Sequence, residues 1–264
     1  SSHRFYLNDY LTQNTYDTNE QKSISQFTYM LHGLAKVYTP RTEDVLCIGM
    51  GIGIVPMEFA REGARVDVAE INPAVVPVAE KFFGLEPARL RLHLTDGRYF
   101  LNQTTNRFDA VILDAFLGDS SPSHLMTREA FVSMRRVLKP DGVLVINTFA
   151  ELEGRRDFFG ASLFKTLRNV FPGVVIHANA RGGNTLYVAS LNPQMKFIRQ
   201  PDYSRVHPSL INAVTGAFAT LREPDPAHGI VLTDDYNPVE FHDAANRESV
   251  RKNLAQSMRE WQKE

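Results

Sequence analysis

Four groups of residues have the types and spacing to hold a nucleoside. Gly49-Met50-Gly51-Ile52-Gly53 stands directly behind an apolar run, Val45–Ile48, and ahead of a helical stretch. Glycines at such a place let the backbone turn sharply and approach a ligand, and the amides that open a helix favour an electron-rich group. Glu70 ends the next apolar run, seventeen residues after Gly53. A carboxylate there can accept hydrogen bonds from both hydroxyls of a ribose. Asp96-Gly97 ends a third run, where the carboxylate and its neighbouring backbone suit an adenine edge. Asp114 ends a fourth. Any one of these acids reads equally well as a solvated strand end or a helix cap. Together, at successive strand ends, they point to a nucleotide-type ligand. A dinucleotide fingerprint asks for Gly or Ala where Ile54 stands. An S-adenosyl-type cofactor therefore fits better than NAD.

These residues need strands and helices in alternation, and the chain supplies them. Val45–Ile48, Arg65–Ile71, Leu90–Thr95, Phe108–Leu113 and Val143–Thr148 read as strands. Val55–Glu62, Ala74–Phe82, Arg128–Leu138 and Phe158–Val170 read as helices between them. Such alternation implies parallel βαβ units with right-handed crossovers. Val174–His177 and Thr185–Ser190 read as a closing hairpin around Arg181-Gly182-Gly183. Ahead of the alternation, Arg4–Leu7 and Tyr10–Thr15 form a β element around the turn pair Asn8-Asp9. A helix then starts at Ser23 or Ser25. The expected fold is a doubly wound, Rossmann-like α/β sheet of the AdoMet-dependent methyltransferase type. It carries a small N-terminal β element (residues 1–40), a catalytic domain (41–200) and a helical C-terminal segment (201–264).

Composition narrows the partners. Among 264 residues, 29 Lys and Arg face 30 Asp and Glu, a net charge of −1. With no basic excess to displace counterions from phosphates, no nucleic acid is expected. The most apolar uncharged run, Val45–Met57, has 13 residues. A bilayer span needs about 20, so no membrane contact by this chain itself is expected. Cys47 is the single cysteine and lies inside an apolar strand, as a small core residue would. His32, His93, His124 and His177 are scattered without ligand spacing, and no metal is expected.

The run Val45–Phe149 resembles the catalytic domain of the spermidine synthase (polyamine aminopropyltransferase) family, especially its members fused to membrane transporters. The motifs that carry the resemblance are VLCIGMGIG, VDVAEINPAVV, LTDGRYF, FDAVILDAF, LMTREAF and LKPDGVLVIN, with LNDYLTQ and SQFTYML upstream and LTDDYNPVEF near the end. The resemblance implies transfer of an aminopropyl group from decarboxylated S-adenosylmethionine to a small-molecule amine, a step of polyamine biosynthesis. It implies that Gln13 and Glu70 face the ribose and nucleoside, with Asp96 and Gly97 at the adenine and Gly49, Gly51 and Gly53 in the loop. Asp114 would accept a proton from the attacking amine, and Tyr29 would hold that amine beside it. Asp119, Asp235 and Tyr236 fall on the substrate side. The family also implies a cytoplasmic homodimer, here a free protein or the cytoplasmic domain of a longer membrane protein.

Three positions depart from the family pattern. Ile52 stands where the glycine loop usually carries an Asp that grips the amine end of the decarboxylated donor. Leu117 replaces the second acid of the catalytic loop, and Leu31 replaces a Glu shortly after the helix tyrosine. These losses leave two alternatives open: methyl transfer from S-adenosylmethionine itself, and a non-catalytic nucleoside-binding homologue.

Overall fold

The computed structural model describes residues 2–8, 11–116, 122–178 and 183–242, together with 244, 248, 249, 251 and 252. Three antiparallel strands open the chain: β1 (His3–Asn8), β2 (Leu11–Asp17) and β3 (Lys22–Ser23). Helix α1 (Gln26–Tyr38) follows. The alternation then runs β4 (Asp44–Ile48), α2 (Ile54–Arg61), β5 (Arg65–Glu70), α3 (Val75–Phe83), β6 (Arg91–Leu94), α4 (Gly97–Gln103), β7 (Phe108–Leu113), α5 (Arg128–Val137), β8 (Leu138–Thr148) and α6 (Phe158–Val170). It closes with β9 (Gly173–Ala178), β10 (Thr185–Ser190), α7 (Ile211–Ala219), β11 (Leu221–Arg222) and α8 (Val239–His242).

Among the described residues the main sheet has the order β11-β9-β10-β8-β7-β4-β5-β6. The pairs β4·β5, β4·β7, β5·β6 and β7·β8 are parallel, while β8·β10, β9·β10 and β9·β11 are antiparallel. This is the expected doubly wound sheet with a hairpin at one edge. The chain moves outward from β4 through β5 to β6, then returns to the other side of β4 with β7. The direction of winding therefore reverses between β4 and β7, and the crevice at their carboxyl ends is where such sheets bind ligands.

Both faces of the sheet are covered, so its central strands carry apolar residues on each side. Leu46, Ile48, Val111 and Leu113 point into a core with residues of α5 and α6. Val45, Cys47, Ala110 and Ile112 point into the opposite core, under α1, α2 and α7. The β-hairpin is tied to the helix that follows it. Ser25 precedes α1, and its hydroxyl accepts the Thr15 amide at 3.1 Å instead of capping its own helix.

Two details of the main sheet differ from the sequence expectation. β8 begins at Leu138, five residues early, and its register against β7 shifts between Phe108 and Ala110. Lys139-Pro140-Asp141-Gly142 is thus absorbed as an irregularity within the strand, a place that tolerates proline. β11 adds a two-residue strand outside the hairpin, too short to leave a periodic signal. The last part of the helical segment expected over 201–264, beyond residue 242, lies mostly outside the described residues.

In the core under α1, His177 of β9 is fully buried. Its Nδ1 lies 3.2 Å from the Ala217 carbonyl, which can only accept, so Nδ1 carries the proton. The bare Nε2 then accepts the Tyr38 hydroxyl at 2.9 Å. Burial lowers the His177 pKa to about 4, so the ring is neutral.

Candidate active site

A cavity of about 280 Å³ opens at the winding reversal. Its floor is the glycine loop. Gly49 has φ +84°, and a Cβ there would lie 2.3 Å from the Asp114 carbonyl oxygen. Only glycine lets the two strand ends pass this closely. Gly51, at φ +52°, brings the backbone against the Asn14 side chain of β2. Gly53, at φ +85°, caps α2 and faces away from the cavity.

Glu70 braces this loop. One carboxylate oxygen accepts the Met50 amide at 2.9 Å and the other accepts the Asn72 amide at 2.8 Å. Each oxygen keeps a second lone pair for a hydroxyl from the cavity. Asp96 caps α4 through the Tyr99 amide at 3.0 Å, and its other oxygen meets His124 Nε2 at 2.9 Å. Burial pushes the Asp96 carboxyl up, but the Tyr99 amide and the His124 ring outweigh it. Its pKa ends below the ordinary value. Gly97 is needed beside it, since a Cβ would lie 2.3 Å from the Ile48 side chain.

Asp114 lines the cavity at the end of β7. Desolvation raises its pKa to about 6, opposed by a hydrogen bond from Asn147 and reinforced by the Glu70 charge. Asn147 Nδ2 donates to Asp114 Oδ1 at 2.9 Å, and Asn184 Nδ2 donates to Asn147 Oδ1 at 2.9 Å. The rings of Phe116 and Phe149, 5.2 Å apart, form an apolar wall beside them. Among the described lining residues the acids are Glu70, Asp96 and Asp114, and there is no Lys or Arg. The Thr12 hydroxyl, on the same wall, is buried without a hydrogen-bond partner.

The structure thus brings together Gln13, Gly49, Gly51, Glu70, Asp96, Gly97 and Asp114. It does not bring Tyr29 to Asp114. The Tyr29 hydroxyl donates to the Ser23 carbonyl at 2.7 Å and accepts the His207 amide at 3.3 Å, lining a separate groove. Successive residues of a helix turn by about 100°, so Phe27, two positions earlier, takes the face that looks into the cavity. Asp235 and Tyr236 are exposed and line no part of it. Their neighbour Asp234 is the anchor instead, taking a two-pronged contact from Arg98 at 2.7 and 3.1 Å and the Thr127 hydroxyl at 2.6 Å. Arg98 also donates to the His124 carbonyl at 2.8 Å, so the LTDDYNP segment fastens the loop that carries His124. Asp119 and Leu117 lie outside the described residues. Among the described residues no cluster of three His, Cys, Asp or Glu side chains can hold a metal, and no helix is long and apolar enough to cross a membrane.

A family model described as the spermine/spermidine synthase domain matches residues 25–176, more than half of the sequence. The chain belongs to the spermine/spermidine synthase family. A polyamine aminopropyltransferase of Vibrio vulnificus (strain CMCP6) is 37% identical over 131 residues, covering 47% of this chain and 44% of that protein. The chain spans about half the length of the curated relatives it matches. The solved structure of a probable spermidine synthase from Corynebacterium glutamicum ATCC 13032 shares the fold. Its TM-score is 0.60 at 18% identity, with 85% of this chain and 88% of that chain covered. A spermidine synthase in complex with the transition state analogue AdoDATO has a TM-score of 0.58 at 21% identity, with 79% of each chain covered.

Within this member of the family, Ile52 is buried in the core at 1% exposure, so the loop contributes no side-chain charge to the cavity. Leu31 is fully buried as well. Sequence reasoning missed Phe27, His124, Asn147 and Asn184. Asn147 was within reach of the signal that marked Glu70, Asp96 and Asp114, since it is a polar residue near the end of an apolar strand. Asn184 carries no such signal, because only the pairing of β8 with β10 places it beside Asn147.

Proposed function

We propose that the cavity binds decarboxylated S-adenosylmethionine and transfers its aminopropyl group to an amine, a reaction of polyamine biosynthesis. The observation that carries this reading is the charge of the wall: Glu70, Asp96 and Asp114 line the cavity with no Lys or Arg among its described residues. A donor whose charges are a sulfonium and an ammonium suits that wall, whereas the carboxylate of S-adenosylmethionine would meet three like charges and no Lys or Arg among the described lining residues. The residues also fit a nucleoside. Glu70 has unused lone pairs for ribose hydroxyls, Gly49 and Gly51 keep side chains out of the floor, and the Thr12 hydroxyl awaits a partner. The donor supplies an electrophilic methylene carbon and a thioether leaving group.

Asp114 does the proton work. An ammonium has no lone pair with which to attack, so a base must first take its proton. A carboxyl titrating near 6 is largely ionised at neutral pH and is a stronger base than an ordinary aspartate. The amine nitrogen forms its bond to the methylene carbon, the carbon–sulfur bond breaks with its electrons passing to sulfur, and the departing proton goes from nitrogen to Asp114. Phe116 and Phe149 offer an apolar wall and ring faces to a cationic acceptor. The homodimer expected from the sequence belongs to the same reading.

Methyl transfer is the second reading, favoured by the buried Ile52 in place of a loop acid. Calorimetry with the two donors side by side separates them. Tighter binding of the decarboxylated form, with a gain of about 57 Da on an amine acceptor, supports the proposal. Tighter binding of S-adenosylmethionine, with a gain of about 14 Da, replaces it with methyl transfer.

A further inference from the structure

Asp114 does not stand alone: it ends a chain of side-chain amides that runs through Asn147 to Asn184, just before β10. Asn147 is 1% exposed and donates to Asp114, while its own oxygen accepts from Asn184. An amide can sit either way round, and burial alone does not choose between them. The two ends of the chain agree on one orientation: an ionised Asp114 can only accept and takes the Asn147 nitrogen, while the Asn184 nitrogen donates to the Asn147 oxygen and holds it turned away from the carboxylate. The register of β10 on β8 pairs Thr185 with Thr148, which brings Asn184, just before β10, to the same sheet end as Asn147.

We propose that Asn184 is a positioning residue that fixes the direction of the Asn147 amide, so that Asp114 Oδ1 is permanently occupied and Oδ2 is left for the incoming amine. A reversed Asn147 would point its oxygen at an ionised carboxylate. Asp114 is exposed to such a change because desolvation and the Glu70 charge both disfavour its ionised form, and the Asn147 hydrogen bond opposes them. Glu70 of β5 and Asp96 at the start of α4 face the same cavity as like charges. Tyr6 of β1 and His124 line it, and the Cys47 thiol of β4 lies behind it. The inference rests on the aminopropyl-transfer reading only for the identity of the amine.

The test uses carbon-13 NMR of protein labelled at the aspartate side-chain carboxyl, with the Asp114 signal assigned by its loss in Asp114→Asn. Asn184→Asp can only accept from Asn147 and turns that amide round, so the Asp114 midpoint moves up by about one pH unit or more. Asn184→Ala removes the lock without adding charge and moves it up by a smaller amount. The acid limb of the kcat profile rises in step. Unmoved midpoints in both variants overturn the relay. So does a shift in Asn184→Asp alone, which would be a charge effect with no part for the amide. If the midpoints move as expected but the wild type transfers no aminopropyl group, the functional reading fails and the relay stands. If the wild type transfers the group and the midpoints stay, the relay alone fails.

Discussion

Removing the Asp114 charge should stabilise the free protein while abolishing its chemistry. In the folded chain the carboxyl titrates near 6 because desolvation and the Glu70 charge disfavour its ionised form, against 3.8 for an ordinary aspartate. A group whose folded pKa is raised favours folding when protonated, and that support is lost as pH rises through the folded value. At pH 8 the whole difference of about two pKa units is felt, which costs about 3 kcal/mol. At pH 5, where the folded group is mostly protonated and the unfolded one is not, the cost falls to about 1.5 kcal/mol. Asp114→Asn keeps a side-chain oxygen for the Asn147 hydrogen bond and removes the buried charge. Urea unfolding should therefore find the variant more stable than wild type by about 2–3 kcal/mol at pH 8, with roughly half that gain at pH 5. Transfer should fall by about 10²–10⁴-fold, as loss of a general base does. A gain that does not change with pH, or no gain at pH 8, would refute the account of why this carboxyl is a strong base.

Three further outcomes follow from the geometry. His177 is held neutral in the core with its pKa lowered to about 4. Stability should therefore fall as pH drops below 6.5, by up to about 3 kcal/mol at pH 4, and urea titrations of His177→Gln should show a shallower loss over that window. Gly49→Ala should cost about 3 kcal/mol in chemical denaturation, since its Cβ meets the Asp114 carbonyl at 2.3 Å from a positive φ. Gly63→Ala, with φ +91° but nothing within 4 Å, should cost only about 1–2 kcal/mol; equal losses would show that the close approach of the strand ends is unimportant. Arg98→Ala frees the Asp234 segment from the His124 loop and should weaken donor binding about three- to tenfold, with unchanged calorimetric affinity counting against the strap.

The winding of the sheet and the acids at its strand ends were legible in the sequence for one reason. Each is a local pattern: an apolar run of strand length followed by Gly, Glu or Asp. Glu70, Asp96 and Asp114 all converge because parallel strands present their carboxyl ends on one edge, and that consequence needs no knowledge of packing. Tyr29 shows where this reasoning stops. Its type suited the chemistry, but which side of α1 faces the cavity depends on how the helix lies across β8 and β10. Phe27 occupies that side. Asp235 and Tyr236 failed in the same way, because Asp234 is the residue the turn offers to Arg98. The sequence determined the strand-end carboxylates, the glycine floor and the family. Only the tertiary structure decided that Asn184 and Asn147 stand in line behind Asp114, that the described wall holds three acids and no Lys or Arg, and that desolvation raises the Asp114 carboxyl. Those properties arise from burial and from contacts between residues far apart in the chain, and neither is written in the spacing of any single segment.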